Sequence, residues 1–256
     1  MRQAWKSRTR PVAWPPRGFA EVARANPADR QRRLLECLHN LRMFYGMGPD
    51  QLQRIAAGST EIDAPRGSTI FSRGECCTGL HLVVFGLVKL SLTGRDGDER
   101  VVDLVGMGRS LGPCPLAGDA PRRLTAEALQ DTRLVHVSRT TVLAELERGP
   151  EFARELIGDL TRRVDQLERD LENCMLRSGK ERVAGYLLSQ LPVEHSKADG
   201  AVTLPATKGI LASRMNLTHE HFSRILRDFS LAGLIVMNGR KIEIPDIARL
   251  QSFGSP

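Results

Sequence analysis

The sequence is poor in the features that define several large classes of protein. It has five cysteines in 256 residues, widely spread and with no Cys-x-x-Cys pair. Such a set argues against a disulfide framework and reads as a reduced, cytoplasmic chain. Aromatic residues make up only 5%, and both tryptophans, Trp5 and Trp14, fall in the first 30 residues. No apolar run approaches the ~18 residues of a membrane-spanning helix, so no membrane partner is expected. The N-terminus is basic but lacks the apolar stretch of a secretory signal. It is also Arg-rich and acid-poor, as a transit peptide is, yet Pro11, Pro15 and Pro16 oppose an amphipathic helix there. Paired carboxylates, nucleophile–base sets and phosphate loops do not stand out by spacing, so an enzyme is not expected.

What the sequence does have is positive charge, unevenly placed. Lys and Arg number 37 against 30 Asp and Glu, a net +7. Residues 1–33 hold nine basic and two acidic residues, net +7. Residues 34–175 hold seventeen and twenty-one, net −4, and residues 176–256 hold eleven and seven, net +4. An excess of this sign favours an anionic partner such as nucleic acid. Its distribution assigns different tasks to different parts of the chain.

The hydrophobic pattern divides the chain further. Residues 1–30 contain four of the 14 prolines and show no period, the pattern of a basic, disordered tail. Leu34, Leu35, Leu38, Leu41, Leu52 and Ile55 recur at helical spacing, with a break at Gly46–Pro49. From residue 60 to 138, short β-rich runs (STIF, LHLVVF, LVKLSL, RVVDLV, LTAEAL, TRLVHVS) alternate with glycines. That cadence predicts a β-barrel, sandwich or roll over 31–138. Over 139–175 the period becomes helical. Ile157, Leu160, Val164, Leu167, Leu171 and Cys174 are spaced 3, 4, 3, 4, 3, the seam of a coiled coil, which predicts a homodimer helix. Residues 176–256 read as a compact, mainly helical module that closes on a hairpin turning at Asn238–Gly239.

Within that module, Thr207–Phe229 has the grammar of a helix-turn-helix. A short helix carries Leu211 and Ala212, and a turn follows at Met215-Asn216-Leu217. Asn216 suits the turn because Asn tolerates the left-handed conformation. Thr218 is placed to cap a second helix. On that helix Phe222, Ile225 and Leu226 share one face, and Glu220, Ser223, Arg224 and Arg227 fall largely on the other. An arginine in the major groove can pair with guanine O6 and N7, and a glutamate can accept from cytosine N4. Glu220 and Arg224, four apart, can orient each other. His219, Lys208, Arg214 and Lys241 are expected on phosphates, and the hairpin makes a wing. The fold class is therefore α+β: a β-barrel, sandwich or roll, then a long dimerisation helix and a C-terminal winged helix-turn-helix.

From about residue 34 to 250 the chain resembles the CRP/FNR family of bacterial transcription regulators. The resemblance rests on PRGSTIFSRGE, LHLVVFGLVKL and GRDGDERVVDLVGMGRSLG, followed by the long helix and winged module in the family's order. Glu220-His221-Phe222-Ser223-Arg224 is similar to the E-x-x-S-R of the FNR and Dnr branch. The resemblance implies a cyclic-nucleotide-binding-type β-roll, a homodimer on a TTGAT-like palindrome of double-stranded DNA, and RNA polymerase as a partner. It places Glu220, Ser223 and Arg224 on bases. His219 and His221 are untypical occupants there and leave the flanking preference open.

The effector is less determined. The family's cyclic-nucleotide pattern wants Gly-Glu for the ribose and Arg-Ser for the phosphate. This chain has Gly112-Pro113, and then Arg122-Arg123-Leu124-Thr125. Proline supplies no carboxylate, which counts against cyclic AMP. Gly112, Arg122, Arg123 and Thr125 remain the candidate effector-pocket residues, for another anion or for none. The N-terminal region offers Cys37 alone where an FNR-type iron–sulfur cluster needs several thiolates. Cys76, Cys77, Cys114 and Cys174 do not restore that pattern. The Dnr likeness raises haem with nitric oxide as a gas effector, with His39 the first axial candidate and Cys37, Met43 and His81 behind it. Two rivals stay open: a regulator that needs no ligand, and an effector-binding protein whose helix-turn-helix no longer reads DNA.

Overall fold

The computed structural model describes residues 26–94, 96–112, 121–191 and 199–252. The expected tail up to residue 25, with Trp5 and Trp14, and Pro113 and Cys114 lie outside the described residues.

The chain enters through α1 (Pro27–Asn40), so the first helix begins inside the segment read as tail. Proline is at home in a first turn, where its missing N–H is not needed. Leu34, Cys37 and Leu38 turn inward. A 3-10 turn at Arg42–Phe44 leads to α2 (Pro49–Ala57), which restarts after the Gly46–Pro49 break.

Seven strands follow: β1 (Ser59–Ala64), β2 (Thr69–Phe71), β3 (Gly79–Phe85), β4 (Leu87–Thr93), β5 (Glu99–Gly106), β6 (Thr125–Ala128) and β7 (Thr132–Ser138). They form two antiparallel sheets, ordered β1-β7-β3 and β2-β6-β4-β5. Val83 and Leu134 of the first sheet pack with Val88, Leu90, Ala126 and Ala128 of the second. This roll interior is continuous apolar surface, and burying each Val or Leu contributes about 1.5–3 kcal/mol. The other face of β3 and β7 packs Leu80, Leu82, Val135 and Val137 against the helices. β1 was not anticipated, because Ser-Thr-Glu-Ile-Asp-Ala is largely polar. It forms as an edge strand on β7, where Arg133 Nε of β7 donates to Asp63 Oδ1 across the pair at 2.7 Å.

The helical stretch from 139 is two helices, not one. α3 (Arg139–Arg148) is capped by Ser138, which accepts from Thr141 N–H. Gly149 is extended, and α4 (Pro150–Leu176) begins afresh with Pro150 in its first turn. A proline cannot continue the preceding helix, because it lacks the N–H and its ring meets the previous turn. Phe152 and Leu156 anchor the root of α4 in the core with Phe44.

The C-terminal module runs α5 (Gly179–Ser189), β8 (Gly200–Thr203), α6 (Lys208–Arg214), α7 (His219–Leu231), β9 (Val236–Asn238), β10 (Lys241–Ile244) and α8 (Ile247–Gln251). A capping box at Ser178 and Glu181 starts α5. The wing has a third strand that the sequence reading missed: β8 pairs with β10, which pairs with β9. Gly239 takes the hairpin's left-handed position at φ +64°.

Candidate nucleic-acid interface and the sensor interior

The reading helix is held by a local set of forces. Asn216 sits at φ +52°, the one left-handed non-glycine among the described residues, and turns the chain between α6 and α7. Thr218 caps α7 by accepting from His221 N–H at 3.2 Å. Phe222, Ile225, Leu226 and Phe229 are all buried in the module's core. That fixes the rotation of α7 and puts Glu220, Arg224 and Arg227 in solvent, with Ser223 half-buried beside them. His219 and His221 are exposed in the first turn. Within the described residues no ion pair or hydrogen bond engages the Glu220 or Arg224 side chain, so the expected Glu220–Arg224 pair does not close. Both groups are available to an external partner.

The expected phosphate contacts separate. Lys208 opens α6, and Lys241 stands exposed on the wing, paired to Glu243 at 2.8 Å. Arg214 is elsewhere. Its guanidinium lies 2.6 Å from Asp170 of α4 and 3.9 Å from Asp103 of β5. The reading of Arg214 as a phosphate contact is therefore corrected: the ion pairs inside the chain hold it, because two carboxylates from other elements converge there. Asp103 also pairs with Arg109 at 2.8 Å and with Arg163 at 3.6 Å. Alongside, Val101 N–H donates to Ser213 Oγ at 2.9 Å, and Leu104 and Leu129 pack against the module's core. Sensor, long helix and reading module thus meet at one ionic junction. Sequence spacing gives no sign of it.

In the sensor, Arg122 turns inward. Its guanidinium stacks 3.7 Å from the Phe71 ring centroid and donates to His81 Nδ1 at 3.2 Å. Arginine has no acceptor, so His81 Nδ1 must be unprotonated. Burial, then His136 and Arg122, pushes the His81 imidazole down to about 3. His136, its cross-strand partner in register, lies with its ring centroid 4.5 Å away. It is lowered too, by burial and then by Arg122. Sequence reasoning missed this pair: the runs LHLVVF and TRLVHVS each carry a histidine, but only the β3–β7 pairing brings the two together. Arg123 is exposed. Thr125 Oγ1 accepts from Arg73 N–H at 3.2 Å. Gly112 has φ +102°, and a side chain there would meet Arg163 of α4. The four candidate effector residues are thus spread over the roll and its border with α4.

His39 is exposed in the last turn of α1, where its ring suits the negative end of the helix. It does not share the interior with Cys37 and Met43. Cys37 is buried, and burial pushes its thiol up to about 11, away from the thiolate that a metal wants. Cys76 and Cys174 are exposed and Cys77 is buried. No described helix is long and apolar enough to cross a membrane.

A β-roll joined through a long helix to a winged helix-turn-helix defines a sensor-and-reader class of protein. Comparison with known proteins gives the class its family. A family model of the cyclic nucleotide-binding domain matches residues 61–148, and one of the Crp-like helix-turn-helix domain matches residues 181–253. A "CRP-like cAMP-activated global transcriptional regulator" of Mycobacterium tuberculosis is 26% identical over 84% of this chain and 97% of its own. The "Nitrogen fixation regulation protein FixK" of Azorhizobium caulinodans is 26% identical over 83% of this chain and 88% of its own. The solved structure of FixK2 from Bradyrhizobium japonicum shares the fold, with a TM-score of 0.67 at 24% identity over 77% of this chain and 98% of that one. The chain thus carries a cyclic nucleotide-binding domain and a Crp-like helix-turn-helix domain, in the order found in the CRP/FNR transcription regulators to which it is similar.

Proposed function

We propose that this protein is a homodimeric, sequence-specific regulator that reads TTGAT-like half-sites of a palindrome in double-stranded DNA, and that it acts on RNA polymerase in the cytoplasm. The observation that carries the reading is the solvent-facing set Glu220, Ser223 and Arg224 on a helix whose opposite face is buried. Glu220 and Arg224 supply the acceptor and the forked donor that major-groove edges match. They also fit the E-x-x-S-R pattern of the FNR and Dnr branch. His219, His221, Arg227, Lys208 and Lys241 flank the set and position it on phosphates.

The seam of α4 supports the dimer. Ile157, Val164 and Leu171 are 62%, 51% and 60% exposed, in line with Leu160, Leu167 and Cys174. A second copy of the same helix covers such a stripe in register. Two reading helices then face half-sites about one DNA turn apart.

For the β-roll, the packing of Arg122 favours control without a ligand there over an effector at Gly112, Arg122, Arg123 and Thr125. The arginine that would meet an anionic effector is already stacked and hydrogen-bonded inside the chain. Haem does not fit the candidates: His39 faces solvent, Cys37 and Met43 are packed in the helical core, and His81, accepting from Arg122 at Nδ1, carries its hydrogen and not a lone pair on Nε2.

The test is fluorescence anisotropy on a TTGAT-type palindrome against scrambled competitor DNA. The Arg224→Ala protein should lose about 10- to 100-fold in specific affinity, as one bidentate base contact contributes about 1–3 kcal/mol. Undiminished binding sinks the base-reading assignment. Absence of any sequence preference in the parent protein favours the rival with a degenerate reading module. Equal affinity with and without added cyclic AMP is expected, and a rise with it returns weight to a β-roll effector.

A further inference from the structure

Behind the ionic junction lies a cavity of about 620 Å³, within the range of small-ligand sites. Its wall comes from the sensor, from α4 and from the reading module. Five arginines line it against three carboxylates. Two of those carboxylates are already engaged. Asp103 binds Arg109, and Asp170 binds Arg214 and accepts from Gln166. Arg182, in the first turns of α5, is different. Its Nε is buried and has no hydrogen-bond partner, and no ion pair among the described residues engages Arg182 or Arg169. A buried, unpaired guanidinium N–H is costly and calls for a partner. Tyr186 adds an aromatic wall whose hydroxyl, with burial pushing it up to about 12, stays a hydrogen-bond donor.

We propose that this junction cavity binds a phosphorylated small molecule, held by Arg182 and Arg169 and reaching Arg214. Phosphate groups suit forked arginine donors, and they can compete with Asp170 for Arg214. A ligand there touches all three parts of the chain at once. Gln166, Asp170 and Asn173 of α4 face the cavity on a different side of the helix from Leu160, Val164 and Leu167, while Cys174 at the end of the seam also lines it, so a second copy on the seam borders the cavity along one edge. The site is separate from Arg122 in the β-roll. It extends the proposed function, and it can fail while DNA reading stands.

The experiment is calorimetric titration of the full-length protein with inorganic phosphate, pyrophosphate and ATP, at ionic strength held constant with KCl. Saturable binding of at least one probe is expected, with the affinity ranking distinguishing free phosphate from a nucleotide source. Arg182→Gln should weaken binding by about tenfold or more, and Arg122→Gln should leave it unchanged. Arg169→Gln, at an exposed position, should weaken it several-fold and keeps the test open if Arg182→Gln does not fold. Absence of saturable binding with all three probes overturns the proposal. So does loss of binding in an Arg122→Gln protein shown to be folded, or retention of parent affinity in a folded Arg182→Gln protein. Unliganded DNA affinity, measured on the same variants, reads the DNA-binding proposal independently.

Discussion

Two arginines, Arg122 in the sensor and Arg224 in the reader, show opposite uses of one side chain. Arg122 is turned inward, with its face on Phe71 and its donor on His81. Arg224 is turned outward on a helix held by Phe222, Ile225, Leu226 and Phe229. The first is engaged in the fold, whereas the second stays free of the fold and open to the proposed DNA partner, on a helix that its neighbours hold in place. The difference teaches that residue type alone does not set an arginine's task, and that burial and partners do.

The comparison can be broken by exchanging stability for binding as the readout. Arg122→Ala should have the largest effect, a loss of about 2–3 kcal/mol in chemical denaturation, since it removes the contact with Phe71 and leaves His81 Nδ1 buried without its donor. An unchanged midpoint would place Arg122 with Arg224 as an idle surface group. His81 sharpens the same point through pH. Its folded pKa is depressed, so its contribution to stability is full above the unfolded value near ~6.5. That contribution is lost as pH falls from there toward about 3, because the unfolded chain takes up the proton first. The loss is up to about 1.4 kcal/mol per pH unit, and urea melts of the parent and His81→Asn proteins between pH 7 and 5 should diverge accordingly. Parallel curves would mean that His81 is already open to protons. The smallest effect is expected for Arg224→Ala, within about 0.5 kcal/mol in stability, even as specific DNA binding collapses. A large drop in its melting temperature would show that Arg224 also supports the fold.

The reader was legible in the sequence because its determinants are local. Asn216, Thr218 and the Phe222–Ile225–Leu226 face act within a dozen residues of one another, and the structure uses each in its expected place. The sensor was legible as β-rich but not in its interior contacts. Arg122 meets His81 across 41 residues and Arg214 meets Asp170 across 44. Periodicity carries no register between such distant segments. The same limit explains why Arg214 was set on DNA: it is a basic residue at the end of α6 in the helix-turn-helix, and the carboxylates that claim it lie on other elements. The single long helix over 139–175 failed for a nearer reason, since Gly149-Pro150 interrupts a hydrophobic period that otherwise continues.

That interruption has a mechanical consequence. α4 is 27 residues long, about 40 Å at 1.5 Å per residue. Its root is clamped by Phe152 and Leu156, while Gly149 frees it from α3. Such a rod pivots about its root: every degree of tilt at Phe152 displaces the far end by about 0.7 Å at that length. The Arg163–Asp103 and Arg214–Asp170 pairs brace it further along, so any such tilt strains the junction that ties the β-roll to the C-terminal module.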